Sequence, residues 1–344
     1  MTHKLTLIIL IALCVIIAGC RGKKTQAEQT EEQIEIEEQV EKEEEEVQPT
    51  QAEKSAAPLV SYQTQRPLSS LSALKGRAGM GVNTSEIDPV YFQNPDLDVL
   101  KQMGADPFII SYFSGEQFYR AGNYDRAIAE YTASINRNGE FIEALVSRGN
   151  SWLKKRDYSR AIDDYTRAIR LNGNRAELYN YRGYARTERG EMNLAIEDFS
   201  RAIALNKNYV DALINRSHAL YQTGDYTKVI EDCDRIINLE PSNAVIWNRR
   251  GTAWYRKEDD DKAIRDFTEA IRLKSDYAVA WYNRGNAWYS KGDIDKALAD
   301  INRTLTINPS FAAAYTSRGN IMQRQGNTES ANSDFAAAQR LQSR

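Results

Sequence analysis

Two histidines and three cysteines in 344 residues leave little material for catalysis. Nucleophilic and metal chemistry need His, Cys or carboxylate groups that converge. His3, Cys14 and Cys20 all fall within the first twenty positions, so only His218 and Cys233 remain for the rest of the chain. A single cysteine past position 20 offers no internal disulfide, and the fold must rest on packing alone. Nothing points to the clustered Lys and Arg on one face that a nucleic-acid binder needs, with 45 Lys and Arg against 48 Asp and Glu for a net charge of -3. The nineteen glycines form no phosphate-cradling loop. Neither an enzyme nor a cofactor or metal protein is expected.

The apolar run from Leu5 to Gly19 would span about 22 Å as a helix, short of the roughly 30 Å hydrocarbon core. It follows His3 and Lys4 and ends in Ile17, Ala18, Gly19 and Cys20, the order of charged, apolar and small residues found in a secretory signal. The Ile-Ala-Gly-Cys ending resembles the lipobox of bacterial lipoproteins. That resemblance implies a signal peptide over residues 1–19, diacylation of Cys20, and a cell-envelope location anchored by lipid. Arg21 in place of an aspartate points toward the outer membrane. Between positions 28 and 53 lie twelve glutamates, against Lys42 within the stretch and Lys54 beside it. Residues 20–57 therefore read as a lipidated cysteine and a solvated acidic tether, too poor in apolar surface to offset ordering entropy. Residues 58–107 carry Pro, Gly and Ser punctuation and one short helix near 95–103, expected to pack partly on the chain that begins at position 108.

From position 108 the chain repeats with a period of 34. Gly115, Gly149, Gly183, Ser217, Gly251, Gly285 and Gly319 form one column, and Ala127, Ala161, Ala195, Val229, Ala263, Ala297 and Ala331 come twelve positions later. Four further on stand Tyr131, Tyr165, Phe199, Cys233, Phe267, Ile301 and Phe335. Leu145, Tyr179, Leu213, Trp247, Trp281 and Tyr315 sit four before the small column. This pattern resembles the tetratricopeptide repeat (TPR), a helix-turn-helix unit whose small residues let the two helices approach closely. The resemblance implies an all-α, right-handed superhelical solenoid of seven repeats, 108–141, 142–175, 176–209, 210–243, 244–277, 278–311 and 312–344. Asp157, Asp225 and Asp293 stand where second-helix N-caps are wanted. Ile or Leu recurs at Ile128, Ile162, Ile196, Ile230, Ile264 and Leu298, and again at Ile135, Ile169, Ile203, Ile237, Ile271 and Leu305. In the seventh copy these become Asn332 and Gln339, so the columns read as the surface between repeats and the last copy as a polar cap.

Two charged columns accompany the packing ones. Arg148, Arg182, Arg216, Arg250, Arg284 and Arg318 precede the small residue, with Ser114 in the first copy; Glu130, Asp164, Asp198, Asp232, Asp266, Asp300 and Asp334 precede the ring column. Because only the first copy lacks both the arginine and a predecessor, the pattern favours pairing each acid with the arginine of the next copy, Glu130 with Arg148 and onward. Pairing within a copy is the alternative.

Positions 2, 5, 9 and 12 of each first helix define a face that the packing columns leave unused. In the repeat family this face lines a concave groove, and here it carries Tyr112, Tyr119, Tyr184, Tyr221, Tyr255, Tyr282 and Tyr289. Asn150, Asn180, Asn248, Asn286 and Asn320 lie between them, with His218 in the fourth copy. Tyrosine offers apolar area with a polar tip, and amides can satisfy an extended peptide backbone. The family's lysine-based carboxylate clamp does not map onto position 5. Trp152, Trp254 and Trp288 fall toward the second helix. The expected function is a membrane-anchored adaptor for a protein or peptide, with a transporter-associated ligand binder as the alternative. His218 and Cys233 fall on opposite faces, so they do not make a metal site, and the acidic run 258–261 reads as the start of a helix.

Overall fold

The computed structural model describes residues 96–102 and 104–342. The signal segment, Cys20, the acidic stretch and most of residues 58–107 lie outside the described residues. Those described form fifteen α-helices and no strand, and none of the helices is long and apolar enough to cross a membrane. A short α1 (Leu97–Gln102) precedes seven helix pairs. They are α2 (Pro107–Arg120) with α3 (Tyr124–Arg137), α4 (Ile142–Lys154) with α5 (Tyr158–Leu171), α6 (Ala176–Glu188) with α7 (Met192–Leu205), and α8 (Val210–Gln222) with α9 (Tyr226–Leu239). Next come α10 (Ala244–Arg256) with α11 (Asp260–Leu273), α12 (Ala278–Ser290) with α13 (Ile294–Ile307), and α14 (Ala312–Arg324) with α15 (Thr328–Gln342). Residues from 310 onward form one compact unit and those before it another. In the larger unit each second helix packs on the first helix of the next pair, as in a solenoid.

Local chemistry sets the breaks. Asn123, Asp157, Asp225, Asp259 and Asp293 each accept a hydrogen bond from the backbone three residues on, capping α3, α5, α9, α11 and α13. The first helices of five pairs end at a glycine in the left-handed region, from Gly122 (φ 74°) to Gly292 (φ 84°). Arg156 and Glu258 occupy the same backbone state in the second and fifth copies. Leu100 of α1 is buried with Ile109 of α2, so the described part of the pre-repeat segment does pack on the first repeat.

Within each pair the small column meets the ring column. A Cβ placed at Gly115, Gly149, Gly183, Gly251 or Gly319 would lie 2.6–2.7 Å from a ring carbon of Tyr131, Tyr165, Phe199, Phe267 or Phe335, closer than atoms can approach. The alanines facing the turn of the hairpin, Ala127 through Ala331, are fully buried. Ile128, Ile135, Ile230, Ile237, Ile264 and Ile271 are buried as well, whereas Asn332 and Gln339 are exposed. Burying such side chains contributes about 1.5–3 kcal/mol each, which is why a hairpin gains from a neighbour.

The fourth copy keeps this geometry by changing both partners at once. Ser217 replaces the glycine and the smaller Cys233 replaces the ring, and both are fully buried. A phenyl ring at 233 would strike the Ser217 side chain. Cys233→Phe is expected to lower the stability of the fourth pair by about 2 kcal/mol through overpacking. Adding Ser217→Gly should recover at least half of that loss. Urea denaturation of the two single variants and the double variant checks this, and simple additivity would contradict the compensation.

Candidate functional site

The arginine before each glycine lies directly beside the glycine–ring contact, and the acid before each ring lies beside it on the other helix. Sixteen residues separate each arginine from the acid it holds, the same offset that separates glycine from ring. The ion pairs accordingly form within a copy. Arg148, Arg182, Arg216, Arg250, Arg284 and Arg318 each grip Asp164, Asp198, Asp232, Asp266, Asp300 and Asp334 with two nitrogens. Nε–Oδ2 distances are 2.7–2.9 Å and Nη2–Oδ1 distances 2.6–2.9 Å. The expected pairing of each acid with the next copy's arginine is therefore incorrect. Glu130, opposite Ser114, has no ion pair among the described residues.

The arginines do reach the preceding copy, through their third nitrogen. Nη1 donates to Thr132, Thr166, Ser200 and Thr268 Oγ atoms at 3.0–3.2 Å, and Arg250 Nη1 to Asp234 at 2.6 Å. A column of small polar residues just after the ring, missed in the sequence, thus completes a three-way bridge. Burial pushes the Asp164 and Asp266 carboxyls above their usual range even though Arg148 and Arg250 oppose the shift. Desolvation offsets much of the attraction, so the bridges serve geometry more than net stability.

The first-helix face is more selective than its sequence pattern. Tyr112 (3% exposed), Tyr282 (1%), Asn248 (3%) and Asn150 (9%) are buried rather than lining a groove. Position 5 is consumed by packing between successive first helices: Asn215 Nδ2 donates to Asn180 Oδ1 at 3.0 Å and Asn283 Nδ2 to Asn248 Oδ1 at 3.1 Å. Asn150 accepts from the Tyr165 hydroxyl at 2.7 Å, as Glu116 does from Tyr131. Where the ring column carries no hydroxyl, position 9 is released from this duty. Tyr184, His218, Asn286 and Asn320 there, and Tyr119, Tyr221, Tyr255 and Tyr289 at position 12, are half-buried, the Tyr289 hydroxyl fully so. Tyr119 and Tyr221 meet Tyr124 and Tyr226 edge to face, with centroids 5.4 and 5.3 Å apart. These rings are held in place before any partner arrives.

Trp152, Trp254 and Trp288 are half-buried beside the start of the second helix, each covered on one face by a cation: Arg160 at 4.5 Å, Lys262 at 4.0 Å and Lys296 at 4.2 Å. Burial pushes the Cys233 thiol up to about 12. His218 is lowered to about 4, first by burial and then by the neighbouring Arg249, so its imidazole is neutral near pH 7. Among the described residues no group of three or more His, Cys, Asp or Glu is placed to hold a metal. Arg249 was overlooked in the sequence, although it is the one cation at a position that elsewhere holds Phe113, Ser147, Tyr181, Asn215, Asn283 and Ser317.

A double-mutant cycle separates the two pairings. Arg250→Ala with Asp266→Ala should show a coupling of about 1.5–3 kcal/mol in urea denaturation, because removing one partner strands a half-buried charge. Asp266→Ala with Arg284→Ala should instead add within about 0.5 kcal/mol. The reverse result would restore the pairing between copies.

Models of the tetratricopeptide repeat match residues 112–176 and 278–311, and a TPR repeat model matches residues 183–224 and 251–292. No curated protein matches significantly in sequence. Among solved structures, a tetratricopeptide repeat protein from Parabacteroides merdae is 20% identical, with 68% of this chain and 93% of that one covered at a TM-score of 0.56. The C-terminal part of a TPR repeat-containing protein from Cytophaga hutchinsonii is 15% identical, with 66% and 93% covered at a TM-score of 0.56. At these identities the likeness shows the fold. With a 34-residue period, seven hairpins packed on a small-residue column and three matching repeat models, the chain belongs to the tetratricopeptide repeat family.

Proposed function

We propose that this protein is an adaptor of the bacterial cell envelope, held to a membrane by lipid on Cys20, whose partner presents a peptide segment to the first-helix face. The repeats themselves make the chain a protein–protein interaction scaffold. What carries the finer reading is the row of half-buried tyrosines and amides left after packing has claimed position 5 and, in the first two copies, position 9. Tyr184, Tyr221 and Tyr255 offer apolar rings with polar tips at a low entropic cost of ordering, as binding surfaces require. Asn286 supplies both a donor and an acceptor for an extended backbone. The lipobox-like ending at Cys20 and the adjoining Arg21 support the envelope location, outer membrane included. No nucleic-acid role and no catalytic role are proposed.

Affinity capture from detergent-solubilised membranes tests this reading. The full chain should recover a protein partner in stoichiometric amount, and Tyr221→Ala with Tyr255→Ala should reduce recovery at least tenfold while circular dichroism stays unchanged. Cys20→Ser should move the protein from the membrane pellet to the supernatant. Capture unaffected by the tyrosine changes, or a small molecule recovered with no protein, would contradict the proposal.

A further inference from the structure

Two opposite charges on neighbouring first helices, Asp211 of α8 and Arg249 of α10, stand unmatched at places where their surroundings elsewhere supply a partner. The acids at the place of Asp211 in the two preceding copies, Glu143 and Glu177, share Arg175 at 3.1 and 2.7 Å. One period on, Tyr209 stands where Arg175 stood, and its hydroxyl accepts from Asn180 at 3.4 Å. Asp211 thus keeps the acid of the pattern without its arginine. Its half-buried carboxylate has no hydrogen bond or ion pair among the described residues. Burial, and after it the neighbouring Glu240, pushes the carboxyl above its usual range, the direction expected where no cation lies close. Arg249 is the complement. The arginine before each packing glycine holds an aspartate of its own hairpin, whereas Arg249 meets only neutral acceptors. Its Nη1 donates to the Ile214 carbonyl at 3.0 Å and to Ser217 Oγ at 2.8 Å, and its Nε and Nη2 donate to nothing among the described residues. Ser217, the one serine in a glycine column, fixes this half-buried guanidinium, so the site exists because the fourth copy departs from the pattern.

We propose that the peptide partner meets these two residues with an opposite pair of its own, a carboxylate on Arg249 and a lysine or arginine on Asp211, carried two residues apart in an extended segment. The inference rests on the first-helix face being the binding surface and adds the chemistry of the segment that fits it. Position comes first. Asp211 stands at position 2 of its copy, on the same face as His218, and Arg249 lies close enough to His218 to act with burial in holding it neutral. Tyr221 and Tyr255 flank the pair on the same two helices. Spacing comes second. Ile214 and Ser217, which seat the guanidinium, lie three and six residues beyond Asp211, roughly 4.5 and 9 Å along the helix axis. Side chains two residues apart on one face of an extended chain are about 7 Å apart, so a single strand reaches both charges. Energetics comes third. A half-buried charge has already lost part of its hydration, and a complementary charge forms strong charge-assisted bonds with it. A uniformly acidic segment would be repelled by Asp211 and a uniformly basic one by Arg249. The tyrosines supply contact area, while the charge pair selects sequence and register.

Panning a phage-displayed library of random dodecapeptides on the immobilised full-length protein in detergent tests the proposal. Recovered sequences should carry Asp or Glu two positions from Lys or Arg about tenfold more often than the unselected library. A selected peptide, followed by fluorescence anisotropy, should bind Arg249→Gln about tenfold more weakly, and the unaltered protein about tenfold more weakly once its own acidic residue is replaced by the amide. Combining the two changes should cost no more than either alone, a coupling that a merely structural arginine would not show. Asp211→Asn should behave in the same way toward the basic residue of the peptide and leave the response to its acidic residue unchanged. Should Arg249→Gln lose helical circular dichroism, the isosteric Asp211→Asn carries the comparison alone. Selected peptides that lack the charge pair, or whose affinity is indifferent to these substitutions, overturn the inference. If Tyr221→Ala with Tyr255→Ala still weakens the binding of such peptides, the adaptor reading stands. Recovery of no peptide at all overturns both.

Discussion

Every hairpin of this array depends on one close approach, a helix backbone at a small residue lying against a side chain from the paired helix, in most copies a glycine against a ring. The contact leaves no room for even a methyl group at Gly149 or Gly251. It fixes the rotation of the two helices about each other, and the flanking residues inherit their partners from that rotation. The arginine next to the glycine and the aspartate next to the ring have nowhere else to meet. Once they are locked, the remaining guanidinium nitrogen points back to a hydroxyl of the preceding copy, and register passes from one repeat to the next.

This explains which parts were legible from sequence. A period of 34 with its glycine, alanine and ring columns was enough to place all seven pairs, because helix-helix approach leaves few substitutes for a small residue. The interface columns and the polar cap at Asn332 and Gln339 came from the same reasoning. The ion-pair partner was misread because the absence of Arg in the first copy fits two explanations. Ser114 is compatible with a missing predecessor, but also with Glu130 lacking an acid-binding partner in its own hairpin. The shared offset of sixteen residues between glycine and ring and between arginine and acid was the decisive clue, and it lay in the sequence.

The first-helix face was only half legible for a physical reason. A column of tyrosine or asparagine looks alike whether it meets solvent or a neighbouring helix. Asn150 serves the Tyr165 hydroxyl and Asn248 serves Asn283, while chemically similar Asn286 remains half-exposed. The side chain opposite, with or without a hydroxyl, separates Asn150 from Asn286, whereas Asn248 is buried because position 5 meets the next first helix. The fourth copy concentrates the remaining individuality: Ser217 and Cys233 replace the usual contact, Ser217 then seats Arg249, and His218 is kept neutral beside it. Deviation from the repeat, rather than the repeat itself, is where this chain differs from any other stack of hairpins.

The glycine–ring contact can be tested by a change whose sign is opposite under the two views. In an ordinary helix interior Gly→Ala stabilises by about 0.5–1 kcal/mol, because alanine loses less entropy on folding. If the contact governs the hairpin, Gly251→Ala should instead destabilise by about 2 kcal/mol or more, with hydrogen-exchange protection lost first in α10 and α11. A chain made more stable by Gly251→Ala, with protection in those helices intact, would contradict the account.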